Sequence, residues 1–227
     1  MPLRNTLTRQ IGQIQDELLV LGSMVEHAAL GAVDALKRRD VKAAKAIFEE
    51  DQQINEKRFA IENAILILMA TQQPMAHDLR QLAAMLEVNT ELERIGDYAK
   101  GIAKVTMLLG DADIPIPIQE IDQMAQLAVS MLHRALGAFV AEDVATALEI
   151  PKEDDKVDEL YNVVYRLVVQ TMISNPETID LANLLMWVAH NLERMADRVT
   201  NICERTVFCA TGELFEVNGM DEDDLNV

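Results

Sequence analysis

Apolar residues recur at i, i+3, i+4 and i+7 along nearly the whole chain, and this period predicts long amphipathic helices interrupted at a few positions. Asp40, after Lys37-Arg38-Arg39, takes the N-cap position between a first and a second helix. Gln72-Gln73-Pro74 separates the second from the third. The stretch from Gly110 to Pro117 is the strongest break, because Pro115 and Pro117 fix an extended path that no helix continues. Beyond it the plan repeats. A fourth helix runs from about Gln119 to Val140, Asp143 takes the cap position of Asp40, and a fifth long helix reaches about Ile173. Asn175-Pro176 breaks it, and a last helix ends near Ala210, before Gly212. The expectation is an all-α protein of two tandem, sequence-related antiparallel three-helix bundles, residues 1–110 and 118–212, with an acidic tail over 213–227. Pro151 falls inside the fifth helix, where it lacks a donor and crowds the carbonyl of Ala147, so a kink or short interruption is predicted there. Phe48 takes its place in the second helix, which should run straighter.

The halves also agree residue by residue. At a spacing of one hundred, Val88, Leu92, Glu93, Arg94, Asp97, Ile102 and Thr106 recur as Val188, Leu192, Glu193, Arg194, Asp197, Ile202 and Thr206. Glu50-Asp51-Gln52-Gln53-Ile54-Asn55 recurs as Glu153-Asp154-Asp155-Lys156-Val157-Asp158. Duplication is the simple explanation.

Carboxylates stand beside, and in two cases within, the predicted core stripes. Met85, Val88, Leu92, Ile95, Ala99 and Ile102 form one heptad stripe, and Glu93 and Asp97 lie one turn apart along its edge. Leu185, Val188, Leu192, Met195, Val199 and Ile202 repeat the stripe, with Glu193 and Asp197 beside it. In the second helix Asp51 occupies the stripe position between Ile47 and Ile54, and in the fifth Asp154 falls between Ile150 and Val157. An unpaired acid in a core costs roughly 3 kcal/mol or more, so something must compensate it. One reading is a hard cation held through oxygen: by Asp51, Asn55, Glu93 and Asp97 in the first half, and by Asp154, Asp158, Glu193 and Asp197 in the second, with Asp155 and Glu153 completing a multinuclear cluster. Such ligation suits magnesium, calcium, manganese or iron rather than a closed structural zinc site. The plainer reading has Arg94 and Arg194 forming ordinary ion pairs across the helices.

Composition narrows the function. The formal charge of −18 over 227 residues, with no basic face, argues against nucleic acid as a partner. Cys203 and Cys209 read as reduced, packed thiols of a reducing compartment. The longest charge-free apolar run, Asn63 to His77, is too short to span a bilayer, and the first residues show helical periodicity rather than a signal core. The four histidines are scattered, and none follows a glutamate at the spacing of ferritin-like di-iron sites. The methionines read as core filling, and Trp187 as a packing or dimer residue. No phosphate-cradling glycine loop, nucleophile elbow or zinc-protease motif is present, so catalysis has no visible apparatus.

The repeated Leu-Glu-Arg-x-x-Asp motifs ending in Asp97 and Asp197 resemble those of the PhoU family. So do Asp51-Gln-Gln-Ile-Asn55, Asp154-Asp-Lys-Val-Asp158-Glu-Leu-Tyr161, Ala135-Leu-Gly-Ala-Phe139 and Thr211-Gly-Glu213. The resemblance covers essentially the whole chain. It implies two similar three-helix bundles side by side in a cytoplasmic, often dimeric protein. It also implies metal ions, iron, manganese, magnesium or zinc, bound through the acidic motifs. The role implied is that of a negative regulator of phosphate-starvation signalling, not an enzyme. Its implied contacts are a phosphate-sensing histidine kinase and the ATPase subunit of a phosphate ABC transporter, and it is peripheral to the membrane through these partners. The alternative is a metal-dependent helical-bundle enzyme of phosphohydrolase or oxidase type.

Overall fold

The computed structural model describes residues 2–214, with side chains from residue 6 onward. The predicted acidic tail lies outside the described residues apart from its first two. Among the described residues the protein is all helix: α1 (Pro2–Arg38), α2 (Val41–Gln72), α3 (His77–Leu109), α4 (Ile118–Ala141), α5 (Val144–Glu149), α6 (Asp154–Ser174) and α7 (Ile179–Thr211). The first three form one bundle and the last four its repeat.

The breaks follow local chemistry. Asp40 caps α2 by accepting from the Ala43 amide, and Asp143 caps α5 by accepting from the Thr146 amide. The residue before each cap, Arg39 and Glu142, has φ of 52°. Pro151 interrupts the fifth predicted helix: a 3-10 turn over Ile150–Glu153 separates α5 from α6, whereas α2 runs unbroken past Phe48. Gly212, at φ 84°, ends α7.

The heptad stripes are the buried faces. Met85, Val88, Leu92, Ile95, Ala99 and Ile102 are buried, and so are their counterparts from Leu185 to Ile202. Each fully buried Leu, Ile or Met contributes about 2 kcal/mol. The two bundles share one continuous core, because α3 packs on α7 and α1 on α4. Ion pairs fix the direction of α3 against α7: Glu87 meets Arg205 at 3.1 Å and Glu91 meets Arg198 at 3.4 Å, so the helices run antiparallel. Glycine permits both crossings. A Cβ on Gly101 would stand 2.7 Å from Asn191 Nδ2, and one on Gly22 would stand 2.2 Å from Leu136 Cδ1.

Thr6–Arg38 and Ile118–Ala141 are long and apolar enough to cross a bilayer by length and composition, which counting charge-free runs did not anticipate. Half of each apolar window is buried in the protein, as expected for the inner helices of a bundle.

Candidate metal centres

Heptad spacing puts Asp51 on the buried face of α2, and it is only 4% exposed. A carboxylate there needs a partner. It has two: Lys100 Nζ, from α3, lies 2.6 Å from Asp51 Oδ2, and Asn55 Nδ2, one turn along α2, donates to the same oxygen at 2.9 Å. The ammonium also lies 5.3 Å from the centre of the Phe48 ring. Its hydrogen bond to Asp51 holds Lys100 above the ordinary lysine range. Glu93 and Asp97 stand close by on α3. Burial first, and then the charge of Asp97, raises the Glu93 carboxyl; burial and then Asp51 raise Asp97, with Lys100 opposing. The first cluster is therefore three acids with a resident ammonium.

The second cluster keeps the helical plan and changes the charges. At the positions of Gln52, Asn55 and Lys100 stand Asp155, Asp158 and Thr200. Asp154, Asp155, Asp158, Glu193 and Asp197 thus gather without the lysine. Burial, followed by the charges of Asp197, Asp158, Glu193 and Asp155, pushes Asp154 up to about 7. Asp158 and Glu193 are raised as well, in both by burial first and Asp197 second. Two oxygens here, Asp154 Oδ1 and Glu193 Oε2, are buried without a hydrogen-bond partner, and so is Thr200 Oγ1, on the same helix as Glu193. His190 Nδ1 stands 3.4 Å from Glu193 Oε2, so one imidazole lies at the cluster's edge.

Several side chains go elsewhere than the sequence suggests. Arg94 and Arg194 do not bridge helices: Arg94 bonds Glu91 at 2.9 Å within α3, and Arg194 lies 3.7 Å from Asp197 within α7. Both arginines point along their own helix, so neither neutralises the acids of the facing one. Glu153 is drawn away from the second cluster by Arg134 of α4, which donates two hydrogen bonds to it at 2.8 and 2.7 Å and holds its carboxyl below the usual range. Trp187 is 55% exposed and meets His190 edge to face. Sequence reasoning overlooked Lys100, although it lies one turn beyond Asp97 on the same face and is the position where the repeat substitutes Thr200.

The donor set of the second cluster fits a hard cation. It offers carboxylate oxygens from two neighbouring helices and, on Asp154 and Glu193, orphaned lone pairs that an ion would satisfy. In the first cluster Lys100 occupies the electrostatic place of such an ion.

The chain matches the PhoU domain twice, over residues 18–106 and 121–206. It is 32% identical to a phosphate-specific transport system accessory protein PhoU homolog of Clostridium acetobutylicum, over 95% of this chain and 99% of that protein. It is 31% identical to the phosphate-specific transport system accessory protein PhoU of Escherichia coli, over 94% of this chain and 88% of that one. The crystal structure of the phosphate transport system regulatory protein PhoU from Streptococcus pneumoniae superposes with a TM-score of 0.86 at 30% identity, covering 92% of this chain and 99% of that one. Two matched domains, relatives aligned almost end to end, and a shared fold at this identity place the chain in the PhoU family.

Proposed function

We propose that this protein is a cytoplasmic regulatory accessory of phosphate-specific transport. It restrains phosphate-starvation signalling by contacting a sensor histidine kinase and the ATPase subunit of a phosphate ABC transporter, acting as a homodimer peripheral to the membrane. In this reading it turns over no substrate, and the carboxylate clusters are cation sites that set helix geometry for docking. The names borne by its relatives support the transport role. The observation that carries the cation role is the second cluster, where five acids meet without an ammonium and the buried Asp154 Oδ1 and Glu193 Oε2 make no hydrogen bond. Carboxylates alone repel phosphate, so any phosphate reaching this cluster would have to do so through the cation.

The test is complementation of a deletion strain grown in abundant phosphate, with a phosphate-starvation promoter as readout. Deletion should switch the promoter on, and the native chain should silence it. A chain carrying Asp154→Asn, Glu193→Gln and Asp197→Asn, shown to be folded by circular dichroism, should fail to silence it and should lose bound metal. Silencing by that variant would remove the cation from the mechanism. A promoter that stays off in the deletion strain would remove the regulator reading itself.

A further inference from the structure

The junction of the two halves holds three side chains of unlike chemistry, well apart from the acidic clusters in the fold. His77 opens α3, Glu142 follows α4, and Cys209 lies in the last turn of α7. Glu142 takes the left-handed conformation, φ 52° and ψ 36°, which is strained for a non-glycine residue. That backbone turn brings its carboxylate to the start of α3. There Oε2 lies 2.9 Å from His77 Nε2, and Oε1 accepts from Gln81 Nε2 at 2.6 Å. Arg80 Nε donates to the Cys209 carbonyl at 3.4 Å, holding the end of α7 against the same turn of α3. One ligand atom from each of His77, Glu142 and Cys209 lies within 4.8 Å of the other two.

We propose that His77, Glu142 and Cys209 form a binding site for a borderline divalent ion, zinc above all, through one nitrogen, one oxygen and one sulfur. Tetrahedral ligands about 2.0–2.3 Å from zinc stand roughly 3.3–3.8 Å apart, so the three donors close on an ion by small side-chain rotations. A thiolate with an imidazole selects zinc over magnesium or calcium, the opposite preference from the all-oxygen clusters. Gln81 is the outer partner that orients the carboxylate. The thiol is buried, whereas the His77 side chain is 45% exposed, so the ion enters from the histidine side and a fourth position stays open to water. On binding, the S–H bond is replaced by a sulfur–metal bond and the proton leaves to solvent. Because His77 belongs to the first half and Glu142 and Cys209 to the second, the ion pins the two halves at one end of their interface.

Cobalt(II) is the probe, since a thiolate ligand gives it a near-ultraviolet charge-transfer band that carboxylates do not. Titrating the full chain should produce that band at stoichiometric cobalt, and zinc should displace it. Cys209→Ser should abolish the band, His77→Ala should weaken cobalt binding by more than about 100-fold, and Gln81→Ala by about 10-fold. His77 is exposed enough that its loss leaves the fold intact, so this variant decides the matter even if Cys209→Ser unfolds. A variant lacking the carboxylates of the second cluster should keep the band, which separates this site from the cation role proposed above. Absence of the band in the native chain, its survival at full strength in His77→Ala, or its loss in Cys203→Ser but not in Cys209→Ser would overturn the proposal.

Discussion

The two halves solve one electrostatic problem in different ways. Both place an aspartate on a helix face that packs inward, beside a Glu-x-x-x-Asp pair on the neighbouring helix. In the first half Lys100 meets Asp51 at 2.6 Å, and the charge is balanced within the chain. In the second, Thr200 leaves five acids without a lysine among them: His190 and Arg194 reach only Glu193 and Asp197, from their own helix, and orphaned carboxylate oxygens remain. A duplicated motif therefore need not be a duplicated site. The charges around the motif decide whether it is complete or open to an ion.

The largest test of this contrast is the same substitution made in each half. Asp51→Asn breaks a nearly buried ion pair and should cost about 2 kcal/mol, since Lys100 is one-third exposed and partly recovers its hydration. Asp154→Asn should act in the opposite direction in metal-free protein. The folded-state carboxyl at about 7 lies above its ordinary value of 3.8, so the unfolded chain ionises first and stability falls as pH rises between them. Above about pH 7 the penalty is fully present, of order 2 kcal/mol after allowance for the group's partial exposure, and the asparagine removes it. Unfolding free energies from denaturant titrations at pH 8 with chelator should differ by about 4 kcal/mol between the two variants. Equal losses from both would mean that the second cluster is balanced within the chain after all.

A smaller effect follows from exchanging the residue that differs. Thr200→Lys should bring the ammonium of the first half into the second, stabilise metal-free protein by about 1 kcal/mol, and abolish the rise in melting temperature expected of the native chain with manganese or magnesium. Lys100→Thr should open the first cluster to the same ions, with calorimetry under matched salt as the check. Unchanged metal response in both variants would detach the ions from these clusters.

The reading of the sequence succeeded wherever structure depends on neighbours along the chain. Asp40, Asp143, Pro151 and Gly212 act through their own backbone, so their effects were legible, and the heptad period located the buried stripes of α3 and α7 and set Asp51 on the buried face of α2. What it missed depends on reach across helices. Lys100 finds Asp51 from another helix, and Arg134 takes Glu153 from α4, while Arg94 folds back along α3. Spacing fixes the face from which a long side chain starts, and the facing helix fixes where it ends. The continuous core was hidden for the same reason, since residues at the α3–α7 crossing carry the same apolar pattern as those inside each bundle.

The finest contrast concerns the left-handed residues before the two caps. Arg39 and Glu142 share φ of 52°, and glycine at either should relieve about 1 kcal/mol of strain. Their side chains set the balance. Arg39 donates to the carbonyl of Ala112 and, at 2.7 Å, to that of Ile114, tying the linker between the halves to the end of α1. Charged donors to two carbonyls contribute more than the strain costs, so Arg39→Gly should destabilise by about 1 kcal/mol. Glu142 accepts from Gln81 and meets His77 at a partly exposed site, where the gains are smaller, so Glu142→Gly should be close to neutral without metal. Under the junction-site proposal, saturating zinc should then separate the pair in the reverse order, stabilising Arg39→Gly as much as the native chain and leaving Glu142→Gly unmoved. Thermal melts of both variants with and without zinc read this directly, and a zinc response retained by Glu142→Gly would remove that carboxylate from the junction site.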